Sequence, residues 1–373
     1  ENLNYDGEAY NVAIGHNAGR QVTTGTKNTI LGGQAGDALT TGGENVAIGY
    51  LSLSAEDGHG GNVAVGNQTL EVQDAGADAY NTAVGYRAGK LVSTGVQNTL
   101  IGAFAGDALT TGQRNVAVGN YALSTEDTGS RSTAIGWYSL LMQNSDSLLY
   151  NTAVGYNSGG SITTGGQNTI IGSLCGDAIT SGNSNVAVGY QALTSETQGD
   201  RNVAIGNSAL EAQNNTSNAD IYNVAVGYHA GKQLTTGVSN TILGGQAGDA
   251  LTSSSYNVAI GHLALTNEDT SGGNVAVGYK SLNDSDGGSN NTALGYQSGE
   301  NITTGDANTI IGSQAGDALT TGSNNIVIGR QAAASAVDVS NEITLGDSNI
   351  SAIRAQVTSI SSLSDKRDKK DIK

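Results

Sequence analysis

The sequence predicts an all-β fold, a parallel β-solenoid of about twenty 17-residue rungs, and three observations lead there. A unit closed by one glycine returns every 17 residues along most of the 373-residue chain. Before that glycine, β-branched residues alternate over four positions, which reads as a short strand. The chain holds 55 Gly and no Pro, as expected where every interior strand uses its N–H groups on its neighbours.

The marker glycines run from Gly15 to Gly346, twenty in all, with longer steps of 19, 19 and 21 residues ending at Gly85, Gly155 and Gly227. Every fourth unit resembles itself: Gly15, Gly85, Gly155, Gly227 and Gly295 lie 70, 70, 72 and 68 residues apart, so the repeat is five blocks of four. The chain thus divides into a lead-in at 1–10, a solenoid shaft at 11–346, a stem at 347–363 and a distinct end at 364–373. Opening as ENLNYDGEAY, with neither Met nor a signal peptide, it is expected to be a piece of a longer chain whose upstream region is missing.

With the marker glycine as position 5, position 1 is Asn in eighteen units, Ser132 and Glu342 being the exceptions. Stacked rung on rung, these residues predict a ladder of side-chain amides bonded to one another along the axis. Position 2 is Val, Thr or Ile and position 4 is Ile, Val or Leu, which puts both on one face of the strand. Seventeen residues suit two short strands and two tight turns, the second strand falling near DALTT. At about 4.8 Å per rung, twenty rungs make a rod of about 95 Å.

Position 3 points to the opposite face. It is Ala in most units, bulky in the second unit of each block at Ile30, Leu100, Ile170, Ile242 and Ile310, and polar only at Thr344. A solvated face should be polar, so this stripe predicts burial against other copies, with those five residues at the interface of a closed homo-oligomer.

Composition narrows the function. A formal charge of −17 with only 16 Lys plus Arg leaves no basic footprint for nucleic acid or an anionic membrane surface. No apolar run approaches the about 18 residues that a membrane insertion would need. The lone Cys175 stands where sister units have Ala35, Ala105, Ala247 and Ala315, and reads as a small buried filler. His16, His59, His229 and His262 share no motif, and no Ser/His/Asp or Cys/His constellation emerges. The expectation is therefore a chain that is not an enzyme, with no catalytic residues, no cofactor and no metal.

The stretch NTILGGQAGDALTTG at 28–42 has the glycine-rich look of a phosphate loop but offers no Lys. Asp37, Asp107, Asp177, Asp249 and Asp317, which recur in it and its sisters, read as turn formers bonding their own backbone. The pairs Glu56/Asp57, Glu126/Asp127 and Glu268/Asp269, with Glu196 alone, read as solvated charge on surface turns, weak Ca²⁺ sites being the alternative. Position 6 is often aromatic or His, and Tyr86, Trp137, Tyr156, Tyr228 and Tyr296 are its glycan-binding candidates; padding of a subunit interface is the competing reading. The insertions EVQDAGADAY, LMQNSDSLLY and EAQNNTSNADIY make the irregular surface of the rod. Thr pairs such as Thr23/Thr24 and Thr40/Thr41 give way to other residues in the third units, so a flat Thr array suited to ice is not expected.

The motif written here as NVAIGHNAG, NTAVGYRAG and NVAVGYQAL resembles the head repeat of trimeric autotransporter adhesins of the YadA-like kind, over roughly residues 11–346. The resemblance implies a left-handed β-roll in which three chains pack side by side, although that family's unit is shorter than 17 residues. SLSDKRDKKDIK resembles the S-D-x-R-x-K-x-x-I opening of the intramolecular chaperone of phage tail spikes, endosialidases and tail fibres, through Ser364, Asp365, Arg367, Lys369 and Ile372. That implies a trimerising chaperone, truncated here, with self-cleavage near Ser364 and Asp365. Between shaft and junction, Ile350, Ile353, Val357 and Ile360 step like a heptad, but Ser, Thr and β-branched content favours a trimeric β stem. Together the two resemblances imply the structural shaft of a homotrimeric phage tail fibre, extracellular on the virion and used in host attachment. Its expected partners are its own copies, an upstream virion attachment region and a host cell-surface receptor, polysaccharide among the candidates. A bacterial cell-surface trimeric adhesin or a glycan-binding module whose shaft binds directly is the alternative.

Overall fold

A computed structural model describes residues 8–267 and 270–354. Twenty three-residue strands follow one another, from β1 (Val12–Ile14) and β2 (Thr29–Leu31) to β20 (Ile343–Leu345). Each ends on the residue before a marker glycine and pairs, parallel and in register, with the strand of the next rung: Val12 opposite Thr29, Ala13 opposite Ile30, Ile14 opposite Leu31. The result is one parallel sheet of twenty strands on a β-solenoid, as the repeat predicts. Among the described residues there is no helix, and so none long and apolar enough to cross a membrane.

The marker glycine is dictated twice over. At Gly172 φ is +142°, a region that side chains rarely adopt, and a Cβ there would lie 2.2 Å from the carbonyl oxygen of Gly189 in the next rung. Rungs approach backbone to backbone at this point, so the chain can stack closely only if the residue has no side chain.

Position 1 works differently from an amide ladder. The Oδ1 of Asn11 accepts the backbone N–H of Asn28 one rung on (2.8 Å), while Asn28 Nδ2 donates to the carbonyl of Gly42 in its own rung (2.9 Å). One buried amide thereby closes its rung and ties it to the next. Direct amide–amide bonds are added at Asn202, Asn240, Asn308 and Asn325, at 3.0 to 3.1 Å.

Because the Asn must reach inward to close the coil, position 3, two residues on and on the same face, also points inward. This corrects the expected orientation of the strand. Ile30, Leu100, Ile170, Ile242 and Ile310 are fully buried inside their own chain, and positions 2 and 4 face outward. These five residues are core, not a surface available to another copy. Their bulk has a local reason: the first and second units of each block carry Gly at position 9, where the third and fourth units of the first four blocks carry Leu. The Cδ1 of Ile30 lies 2.9 Å from where a Cβ of Gly19 would be and 3.5 Å from that of Gly36, so one branched side chain fills two glycine gaps.

The wall near DALTT is not a second strand. It is built of turns in which Thr23 N–H donates to the carbonyl of Thr40 (2.9 Å) and the Thr23 hydroxyl donates to the same oxygen (3.1 Å). Thr40, Thr110, Thr163 and Thr180 repeat the hydroxyl contact, which takes those donors out of any outward-facing array. Residues 347–354 form no strand; the rest of the expected stem, and Ser364 and Asp365 with it, lie outside the described residues.

Candidate functional site

The outward strand face is the most continuous surface feature of the rod. Positions 2 and 4 carry Val, Thr, Ile or Leu in every unit, with no charge along twenty strands. Many remain open to solvent: Ile14 is 59% exposed, Leu31 44%, Ile171 39% and Leu294 48%. An uncharged apolar face of this length is unusual on a chain that stands alone in water. Tyrosines line both margins. Before the strand lie Tyr80, Tyr150 and Tyr222, each with a left-handed backbone, and Arg131 and Arg201 sit over the rings of Tyr150 and Tyr222.

After the marker glycine comes the position-6 row. Tyr86, Trp137, Tyr156, Tyr228 and Tyr296 are all exposed. The fold brings the first three into one run, through rings that stand one position later. Tyr86 meets Phe104 edge-on at 5.2 Å, Phe104 stacks on Tyr121 at 4.7 Å, and Tyr121 meets Tyr138 at 5.6 Å. Tyr138 then touches Trp137, which meets Tyr156 at 5.6 Å. Six rings thus span five successive rungs. Tyr228 is separate, stacked on His229, and Tyr296 closes a short stack with Tyr279 and His262. Phe104, Tyr121 and Tyr138 were legible in sequence as aromatics at position 7 of three consecutive units.

The inserted turns are pinned from within by Ala79, Leu149 and Ile221, which are buried while their neighbours stay exposed. Cys175 is the expected filler, fully buried, and burial pushes its thiol up to about 12.

Of the third-unit carboxylates, the aspartates fit the solvated reading, Asp57 being exposed and Asp127 half-buried, but the glutamates do not. Glu56, Glu126 and Glu196 are completely buried at position 12, and in the next rung the same position holds Gln73, Gln143 and Gln213. Gln143 Nε2 donates to Glu126 Oε2 and Gln213 Nε2 to Glu196 Oε2, both at 2.9 Å. The 17-residue spacing of Glu and Gln, at a position that is apolar in the first two units of every block, was the available signal. Glu268 and Asp269 lie outside the described residues.

Among the AGDA turns, Asp107 has its carboxyl pushed up to about 6, chiefly by burial and against the pull of Arg87 and Lys90; Asp249 is raised for the same first reason. The folded chain therefore holds a proton on Asp107 that the unfolded chain releases, and this group's contribution to stability falls as pH rises from about 4 to about 6. Asp107→Asn is expected to raise the melting temperature relative to wild type above pH 6 and to change it little at pH 4. Thermal unfolding of both proteins across that range checks this; a difference independent of pH would contradict it.

Compared with known proteins, the chain matches no family model and no curated protein.

Proposed function

We propose that the chain is the structural shaft of a homotrimeric phage tail fibre, holding a receptor-contacting end away from the virion. The observation that carries this reading is the uncharged outward face of the sheet, repeated without interruption over twenty strands. A partner that covers such a face must itself be apolar with the same period along about 95 Å. A further copy of the chain meets that condition, and three copies related by a rotation axis would close the assembly without leaving a sticky face. Tyrosines at both margins suit the half-wet rim of such an interface. The resemblance of 362–373 to a tail-fibre chaperone opening supports the viral setting, with Ser364 and Asp365 as the junction it implies.

A second reading has its own support. The six-ring run from Tyr86 to Tyr156 is a platform on which sugar rings could stack, as in a surface adhesin whose shaft grips glycan directly.

Light scattering of the chain is expected to give the mass of three copies, and Ile171→Asp with Ile205→Asp, both on the outward face, is expected to give a folded monomer. A wild-type monomer would sink the shaft reading. Binding on a glycan array that Tyr156→Ala abolishes would favour the second; a silent array with an intact trimer favours the first.

A further inference from the structure

The buried glutamate of the third units can be compared with itself inside one chain. Glu196 Oε1 accepts the backbone N–H groups of Thr197 (2.8 Å), Gln198 (3.0 Å) and Gly199 (2.7 Å). Its Oε2 accepts Gln213 Nε2 (2.9 Å) and Asn215 Nδ2 (3.0 Å). Glu126 is held in the same way by Gly129 N–H (2.7 Å) and Gln143 Nε2 (2.9 Å). Both carboxylates are buried with donors on each oxygen, which is how a buried charge is normally tolerated.

Glu56 departs from this pattern. It is just as buried, and its Oε1 accepts His59 N–H (3.0 Å), but its Oε2 has no hydrogen-bond partner. Gln73 Nε2, which corresponds to the donor from Gln143 and Gln213, has none either. Among the differences between this turn and its sisters, two bring in groups able to ligate a metal, and Ala75 stands where Ser145 and Asn215 donate to the sister glutamates. His59 stands where they have Gly129 and Gly199, and Asp74 stands where they have Asn144 and Asn214. With Asp57 they form a group in which Glu56, Asp57, His59 and Asp74 each offer a ligating atom within 4.8 Å of the others. Burial raises the proton affinity of Glu56, and the neighbouring Asp74 raises it further, although contacts from His59 oppose both. The first block thus adds a carboxylate and an imidazole to the Glu–Asp pair that the second block also carries, beside a buried carboxylate with one oxygen unpartnered.

We propose that Glu56, Asp57, His59 and Asp74 form a binding site for a divalent first-row transition ion of the Zn²⁺ class. Ligands around such an ion sit at about 2.0–2.2 Å from it, so neighbouring donors lie about 3.5 Å apart, a spacing that small side-chain rotations reach from the observed cluster. The imidazole decides the class. Ca²⁺ takes six to eight oxygens and gains little from a ring nitrogen, whereas Zn²⁺ accepts mixed N and O donors. Glu56, Asp57 and His59 belong to the third rung and Asp74 to the inserted turn that follows the fourth strand. The ion would therefore staple that turn to the rod, in the first block and not in its sisters.

The test is calorimetric titration of the full chain, free of any histidine tag, with ZnCl₂ and separately with CaCl₂, alongside the double variant His59→Gly, Asp74→Asn. The variant reproduces the residues at Gly129 and Asn144, which the same fold already carries, so folding is retained; circular dichroism verifies it. One Zn²⁺ per chain is expected, bound about tenfold or more weaker in the variant, with a metal-dependent rise in melting temperature seen in wild type alone. Absence of zinc binding by the folded wild type, equal binding by the variant, or a preference for Ca²⁺ would each overturn the proposal.

Discussion

Gly172→Ala is expected to break the rod at its tenth rung, with a loss of about 4–5 kcal/mol or more. The added methyl would have to sit 2.2 Å from the carbonyl oxygen of Gly189, at a φ of +142°. Backbone strain of this kind costs about 1–3 kcal/mol by itself. The clash adds to it, and because the opposing atom is backbone, no change of rotamer relieves it. Burial of one extra carbon returns less than about 1 kcal/mol. Each rung touches only its neighbours, so the damage should stay local, with hydrogen exchange accelerating on either side of residues 169–189 while distant blocks keep their protection. A variant that melts within a degree of wild type would show that the rungs do not approach as closely as described.

Ile170→Asp is the second large effect, and its neighbour is the control. The Ile170 side chain is fully buried, its Cδ1 3.1 Å from where a Cβ of Gly176 would be, so it fills the hollow that this glycine leaves. Ile170→Ala should cost about 2–5 kcal/mol through lost contacts and a cavity. The carboxylate of Ile170→Asp would enter the same interior with no donor waiting, which is costlier still, and should unfold the third block or leave the protein insoluble. Ile171→Asp changes an adjacent residue of the same chemistry but on the outer face, 39% exposed, and should keep the wild-type circular dichroism spectrum. The opposite ranking, with Ile171→Asp the more disruptive to the isolated chain, would return position 3 to the outside.

These two residues also mark where sequence reading succeeded and where it stopped. The period, the rung count and the parallel stacking were all legible, because Gly172 and its counterparts answer to a short-range demand that recurs with every turn. The occupants of each face were legible too. Their direction was not: Val, Ile and Thr at positions 2 and 4 alternate with Ala and Ile at position 3, and two apolar faces give no contrast from which to tell inside from outside. Likewise Glu126 and Gln143 look like ordinary surface residues until the coil brings them together inside.

By itself the sequence determined the solenoid, its five four-rung blocks, the need for glycine at each strand end and the small filler at Cys175. The tertiary structure decided which face is core, that DALTT turns rather than forms a strand, that six aromatic rings make one run, and that a buried glutamate shares a turn with His59 and Asp74. The physical reason is the closure of the coil. Asn28 bonds the carbonyl of Gly42, fourteen residues away, and that non-local contact turns positions 1 and 3 inward together. Periodicity reports what each residue is next to along the strand; closure alone fixes what it faces.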